Sequence, residues 1–273
     1  MANKRVIPGF RLTISITLVY LTLIVLIPLL SLVIKGSGMG LDKFFLTILN
    51  PRVLHSFYVS FGCALLAAII NMIFGLILSW VLIRYNFPGK KILDGLIDLP
   101  FALPTAVAGI AFTALYSENG WVGRYLYTVG IESAFSLIGI TIALVFIGIP
   151  FVVRSIQPVL KDLDFQYEEA AKVLGANSWT AFRRVILPEL VPSILTGFAL
   201  AFARGVGEYG SVVFIAGNMP FKTEIAPLII MAKLEQYDYY GAVAVALVML
   251  IASFVILFGI NIWQWRINHT RGI

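Results

Sequence analysis

The chain has 273 residues, of which 60% are hydrophobic and only 12% are charged, and its formal net charge is +6 at pH 7. Together with a mean hydropathy of +0.94, this composition excludes a soluble globular domain, whose surface would need many more polar residues. The single cysteine, Cys63, lies inside an apolar run, so the sequence offers neither a disulfide framework nor a cysteine metal site. We therefore expect an integral membrane protein. We also expect this chain to hold no metal site and no catalytic residue.

Apolar stretches close to the length that crosses about 30 Å of hydrocarbon occur six times along the chain. They are continuous rather than alternating, which favours helices over the strands of a barrel. The sequence thus predicts an all-α integral membrane protein in which residues 1–273 form one transmembrane domain. The six predicted helices cover residues 12–34, 57–83, 99–117, 133–153, 190–217 and 239–265.

Lysine and arginine near the ends of membrane helices indicate their orientation. With the N-terminus inside, thirteen of these residues fall in inner segments and six in outer segments. This asymmetry predicts that both termini are cytoplasmic. The basic residues are scattered over four inner segments, so the net charge gives no reason to expect a nucleic-acid partner. Aromatic residues in the outer loops are expected to contact membrane lipid at the headgroup level.

The inner segment 154–189 is too long for a turn and carries an unusual density of charge. Asp164 is expected to cap a short helix over residues 166–174. Glu168 and Glu169 then lie in its first turn, where the helix dipole favours acidic side chains. The segment is therefore predicted to have helical structure outside the membrane.

A glycine bend is expected in the middle of this segment. Gly175 suits the left-handed position that follows a helix end, and Asn177 or Ser178 is placed to cap a second short helix, which Pro188 would end. Two explanations fit such a pair of amphipathic helices: an element lying on lipid headgroups, or a docking surface for a cytoplasmic partner. The paired acids and the glycine at one bend favour the docking surface.

Several residues of this segment match a known pattern at fixed spacing. They are Glu169, Ala170, Ala171, Gly175, Ala176, Phe182, Ile186, Leu187 and Pro188. This spacing resembles the EAA loop of binding-protein-dependent ABC importer permeases. The stretches "DLPFALPTAVAGIAFTALYSENGW" at 98–121 and "LTGFALAFARGVGEYGSVVFIAGNMP" at 195–220 look like the T-type subunits of sulfate/thiosulfate permeases.

The resemblance implies a type I ABC importer permease fold, with coupling helices between the fourth and fifth spans that dock on a nucleotide-binding subunit. The residues that the resemblance implies for contact with this subunit are Glu168, Glu169, Ala170, Ala171, Gly175 and Ala176. The implied partners are a homologous W-type permease, two copies of a cytoplasmic ATPase and an extracytoplasmic sulfate-binding protein. The chain contains no P-loop, so ATP and Mg²⁺ are expected in the ATPase and no cofactor on this chain.

A charged pair, Arg204 and Glu208, interrupts the fifth predicted span at an i, i+4 spacing that allows an ion pair. Such residues usually face an interior or a water-filled path, although a pair that only fixes helix packing fits equally well. Pro104, Thr105 and Ser211 lie in segments rich in proline and glycine. Because the resemblance places the third and fifth spans along the pathway, all five residues are candidates for the translocation path.

The residues leave other substrates and mechanisms open. A molybdate or tungstate permease would share the architecture, whereas a secondary anion carrier would need no ATPase. A membrane-embedded enzyme would need clustered nucleophiles, bases or metal ligands in its spans, and the sequence has none there. We expect a multi-pass protein of a bacterial inner (plasma) membrane, with a plastid membrane as the alternative.

Overall fold

The structure, a computed structural model, describes residues 9–164 and 166–270, with side chains up to residue 266. Residues 1–8 and 271–273, which hold the two chain ends expected in the cytoplasm, lie outside these ranges. Within them every regular element is a helix. In chain order the helices are α1 (Phe10–Ser37), α2 (Leu41–Ile48), α3 (Pro51–Arg84), α4 (Lys90–Ile97), α5 (Leu99–Ala102), α6 (Thr105–Tyr116), α7 (Gly123–Thr128), α8 (Leu137–Asp162), α9 (Gln166–Val173), α10 (Ser178–Val206), α11 (Val212–Ile215), α12 (Ala226–Glu235) and α13 (Tyr239–Thr270).

The core forms where α3, α8 and α10 pack along one another. Glycines allow this close approach: a Cβ added at Gly75 would lie 2.6 Å from the Val152 side chain, and one at Gly197 would lie 2.7 Å from the Val152 Cα. Lipid tails are as apolar as leucine, so membrane helices associate largely through such close backbone packing. The small residues on these three helices therefore allow the close packing of the core.

The first helix stands largely apart from this core. Of all its residues only Gly36 is buried, where the helix crosses Leu247 of α13. The exposed remainder of α1 is rich in leucine, isoleucine and valine. This surface suits contact with lipid or with another membrane chain.

A short π-helical turn interrupts both α1 and α10, and each turn ends shortly before a proline. In α1 the turn covers Thr22–Leu26 and precedes Pro28; in α10 it covers Phe182–Ile186 and precedes Pro188. A proline inside a helix lacks an N–H and crowds the carbonyl four residues earlier. The wider turn accommodates that defect. The expectation that Pro188 ends a helix is therefore wrong, because α10 continues through it to Val206.

The third predicted span, residues 99–117, is not a single membrane helix in the structure. Among the described residues five helices are long and apolar enough to cross a membrane, namely α1, α3, α8, α10 and α13. Residues 99–117 instead form α5 and α6, separated by extended backbone at Leu103 and Pro104. The twelve residues of α6 span only about 18 Å, less than the hydrocarbon thickness. Pro104 accounts for the break, because proline restricts the residue before it, here Leu103, to extended backbone.

The fifth predicted span and the loop before it also have different limits. The helix α10 begins at Ser178 and ends at Val206, whereas the sequence suggested 190–217. It therefore absorbs the second short helix expected before Pro188. Residues up to Asp162 belong to α8, so the segment between the two long helices shrinks to residues 163–177, with α9 inside it.

Candidate functional site

The helix α9 and the bend after it have the local structure that their sequence predicts. Asp164 accepts a hydrogen bond from the Gln166 backbone N–H at 3.1 Å. At the other end Gly175 N–H donates to the Lys172 carbonyl at 2.9 Å and Ala176 N–H to the Ala171 carbonyl at 3.0 Å. These two bonds form a Schellman motif, which needs a left-handed residue, and Gly175 has a φ of 85°.

The bend leads directly into α10. Asn177 caps that helix, since its side chain accepts a hydrogen bond from the Thr180 N–H at 2.8 Å. Both ends of the bend are thus held by local hydrogen bonds. This rigidity presents α9 at a fixed angle to α10.

The two neighbouring acids of α9 point in different directions. Glu168 forms an ion pair with Arg84 at the end of α3, with 3.0 Å between the carboxylate and the guanidinium. Glu169 and Ala170 are exposed, whereas Ala171 is buried and Ala176 is half-buried. Glu168 therefore anchors α9 to the membrane helices, and Glu169 is available to another molecule.

Arg84 joins three elements at this end of the molecule. Its side chain is only 6% exposed and lies 5.6 Å from the centre of the Trp80 ring. Its guanidinium also approaches the carbonyl of Leu163, just after α8. The Trp80 ring packs edge-on against Phe182 of α10 at 5.2 Å. A displacement of α9 would therefore disturb contacts at the ends of α3 and α8 and at the start of α10.

The tip of this element carries an exposed apolar surface. Val173 and Leu174 are 86% and 87% exposed, and Tyr167 and Trp179 are also exposed. Large apolar side chains exposed together are typical of a surface that contacts another chain or a membrane. We refer to α9 and residues 174–177 as the docking element, after the role that the sequence analysis expects for it.

A second group of polar residues forms where α6 meets the turn after α10. A Cβ added at Gly109 would lie 2.8 Å from the Ser211 Cα, and one at Gly210 would collide with the Thr105 side chain. The backbones of the two segments therefore touch. Thr105 therefore lies against Gly210 and Gly109 against Ser211, while Pro104 directly precedes α6.

The predicted Arg204–Glu208 pair forms, but not within a single helix. The guanidinium and carboxylate are 2.6 Å apart, although α10 ends at Val206 and Glu208 lies in the following turn. The other carboxylate oxygen of Glu208 accepts bonds from the Ser211 N–H at 2.9 Å and from its hydroxyl at 3.1 Å. Glu208 is 2% exposed and the Arg204 side chain 37%, so the positive group faces the accessible side.

The sequence interpretation missed three charged contacts that organise the molecule. One is Arg84 with Glu168. The second is Arg52 with Glu224, which ties the start of α3 to the segment before α12 through two hydrogen bonds of 2.7 and 2.6 Å. The third involves Arg154 of α8 and two aspartates of the α4 region. Charged residues at span boundaries were the available signal, but their partners lie far away in the chain.

No group of three metal-ligating side chains occurs among the residues that the structure describes.

A model of the family described as binding-protein-dependent transport system inner membrane component matches residues 71–268. The chain is 46% identical over 269 residues to the sulfate transport system permease protein CysT of Escherichia coli K12, covering 98% of this chain and 97% of the relative. It is 50% identical over 249 residues to a probable sulfate transport system permease protein cysT of Mesostigma viride, covering 91% and 93%.

The fold is also that of solved importers. A chain in the crystal structure of a bacterial alginate ABC transporter, in complex with an alginate pentasaccharide-bound periplasmic protein, matches with a TM-score of 0.76 and 17% identity, covering 94% of each chain. The helical architecture is thus that of an ABC importer permease, and the named relatives confirm that the chain is a transport subunit rather than an enzyme. The resemblance seen in the EAA-like spacing is likewise confirmed: this chain belongs to the family of inner membrane components of binding-protein-dependent transport systems.

Proposed function

We propose that this chain is one of two membrane subunits of an ATP-driven importer of sulfate or thiosulfate. The observation that carries the proposal is the 46–50% identity, over more than nine-tenths of the chain, to proteins named as sulfate transport permeases. Sulfate is a compact dianion without apolar surface, so its path through the membrane must be polar and only weakly attractive. A molybdate or tungstate permease is the alternative that a competition assay distinguishes.

The proposed assembly contains a homologous W-type permease, two ATPase subunits and an extracytoplasmic sulfate-binding protein. It lies in the inner (plasma) membrane, or in a plastid membrane, with both termini of this chain in the cytoplasm. The docking element would then be cytoplasmic and would contact the ATPase, which supplies the ATP and Mg²⁺ sites. The exposed Glu169, Val173 and Leu174 support this contact.

The contact between α6 and the turn at Glu208 is the proposed position of the anion path. Arg204 offers a positive charge on the accessible side, while Glu208 partly neutralises it and keeps a passing dianion from binding too tightly. Ser211 is bonded to Glu208, and Thr105 lies against Gly210 in the same turn. The segment from α4 to α6 would make the sixth crossing as short helices, since non-helical backbone is tolerated in a membrane only where protein or a water-filled path covers it.

The proposed mechanism is alternating access, in which closure of the ATPase dimer draws the docking elements together and opens the path outward. The residues of this chain would transmit that movement mechanically. Arg84 links α9 to the core helices through Glu168 and the Trp80–Phe182 contact. Because the core helices are tightly packed, a shift of α9 would produce a shift of α10, whose last turn carries Arg204.

Copurification tests the docking part of this function. In the complete complex, Glu169→Ala with Gly175→Val should greatly reduce the amount of ATPase that copurifies, because one change removes an exposed acid and the other strains a backbone with φ of 85°. The matched control is Glu118→Ala with Gly130→Val, an exposed acid and a glycine with φ of 78° before α8. Full ATPase retention by the first variant would contradict the proposed docking surface.

A further inference from the structure

A basic cavity of about 750 Å³ opens beside the C-terminal ends of α3 and α8, at the same end of the molecule as α9. Its size falls within the ~300–1,000 Å³ usual for small-molecule sites. Four basic side chains and one acidic side chain line it, together with the apolar Leu82 and Ile83. The polar lining residues are Asn86, Lys90, Lys91, Asp94, Arg154, Gln157 and Lys161.

One wall of the cavity is held rigid by ionic bonds. Arg154 binds Asp94 at 2.7 Å and Asp98 at 2.6 Å, and it also donates to the backbone carbonyl of Asp94. Gln157 donates to the same Asp94 carboxylate at 3.2 Å. Burial alone would raise the pKa of Asp94, but the bonds from Gln157 and Arg154 lower it overall. The charge of Arg154 is therefore satisfied by the protein and holds α4 against α8.

The three lysines of the cavity are not neutralised in this way. Lys90 donates to two uncharged acceptors, the carbonyl of Tyr85 at 3.0 Å and the side-chain oxygen of Asn86 at 3.3 Å. Among the described residues no acidic side chain pairs with Lys90, Lys91 or Lys161. Lys90 is half-buried and Lys91 and Lys161 are exposed, so three positive charges surround one concave site and attract anions to it.

The helix that supplies two of the lysines indicates which anion fits. After Lys90 and Lys91, α4 carries Ile92 and Leu96, which are 70% and 54% exposed, while Ile97 is buried. A helix with such a pattern suits a membrane surface, with basic groups toward headgroups and apolar groups toward acyl chains. A free inorganic anion would make no use of these apolar side chains.

We propose that this cavity binds the phosphate group of an anionic phospholipid from the adjoining leaflet. Lys90, Lys91 and Lys161 contact the phosphate, and the acyl chains lie along Ile92 and Leu96. Basic pockets between membrane helices are suited to such headgroups. The lipid would fasten α4 to the end of α8, close to the docking element. This inference requires only that the chain spans a membrane, and it does not depend on the proposed substrate.

Native mass spectrometry of the intact purified complex, in detergent with added phosphatidylglycerol or phosphatidylcholine, tests the site. We expect the wild type to retain phosphatidylglycerol in preference to phosphatidylcholine. The triple variant Lys90→Gln, Lys91→Gln, Lys161→Gln should retain about tenfold less phosphatidylglycerol. The matched control, Lys35→Gln, Lys43→Gln, Lys222→Gln, removes three exposed lysines at the opposite end of α3 and should retain the wild-type amount.

Three results would overturn the inference. The first is equal retention of phosphatidylglycerol by the triple variant and the wild type. The second is displacement of the bound lipid by millimolar inorganic phosphate or sulfate, which would assign the cavity to a free anion. The third is loss of the ATPase subunit from the triple variant with lipid retention unchanged, which would make the cavity a protein contact. None of these measurements requires transport, so their failure is distinct from failure of the proposed function.

Discussion

Glu168→Lys is expected to release the ATPase from the complex and to uncouple any remaining ATP hydrolysis from transport. The change would place a second positive charge against Arg84, whose side chain is 6% exposed and lies 3.0 Å from the present carboxylate. Loss of this ion pair at a buried arginine is destabilising, and the repulsion between two like charges adds to the effect. We expect α9 to leave its place beside α3 and Leu163. Copurified ATPase and uptake-linked ATP hydrolysis are the measurements.

Two variants separate this positioning role from a general loss of folding. Asp162→Lys reverses an exposed acid at the end of α8, whose side chain forms no ion pair or hydrogen bond with other described residues, and should retain the ATPase. The exchange of Arg84→Glu with Glu168→Arg restores opposite charges and should recover part of the ATPase binding lost in Glu168→Lys. If Glu168→Lys binds and couples the ATPase as well as the wild type does, the ion pair has no role in transmission.

Arg204→Ala is expected to reduce sulfate uptake by at least about tenfold and also to destabilise the complex. Glu208 is 2% exposed and would keep only its bonds to Ser211 after its partner is removed. A buried carboxylate without a counter-charge is costly, so thermal unfolding of the purified complex should shift to lower temperature. Uptake and unfolding temperature must therefore be measured on the same preparation.

The double variant Arg204→Ala, Glu208→Gln distinguishes the two roles of this pair. The neutral amide oxygen still accepts the Ser211 bonds but needs no counter-charge, so most of the lost stability should return. If Arg204 attracts the anion, uptake stays low in this stable variant. Recovery of uptake together with stability would instead show that the pair only fixes packing.

The sequence predicts much of the fold because membrane spans depend on local composition. Long uncharged runs identified α1, α3, α8 and α13 to within nine residues at each end, whereas α10 begins twelve residues before the predicted fifth span and ends eleven residues before its predicted end. The break at Leu103 was less evident, since hydropathy continues through it. Pro100 and Pro104 were the signal, and their spacing leaves room for only one helical turn between them.

The docking element was predictable in its local parts and not in its orientation. Asp164, Gly175 and Asn177 act through hydrogen bonds to residues within a few positions, so their types and spacing sufficed. Which of Glu168 and Glu169 faces inward depends on Arg84, which lies more than eighty residues earlier. Contacts between residues so far apart in the sequence depend on the packing of α3 against α8 and α10, which local sequence patterns do not reveal.

The candidate anion path was predictable from the sequence where its contacts are local and not where they join distant segments. The i, i+4 spacing of Arg204 and Glu208 predicted their ion pair correctly. The end of α10 at Val206 was not foreseen, although Gly205 and Gly207 weaken a helix there. The contact of Gly109 with Ser211 joins segments a hundred residues apart and became visible only in the folded chain.

Uptake of labelled sulfate into proteoliposomes tests the central claim most directly. The vesicles would hold this chain with the proposed W-type partner and the proposed ATPase, with ATP inside and the sulfate-binding protein outside. We predict uptake that requires both ATP and this chain, and that excess thiosulfate, but not molybdate, suppresses. Uptake without ATP would contradict the importer mechanism, and suppression mainly by molybdate would contradict the proposed substrate.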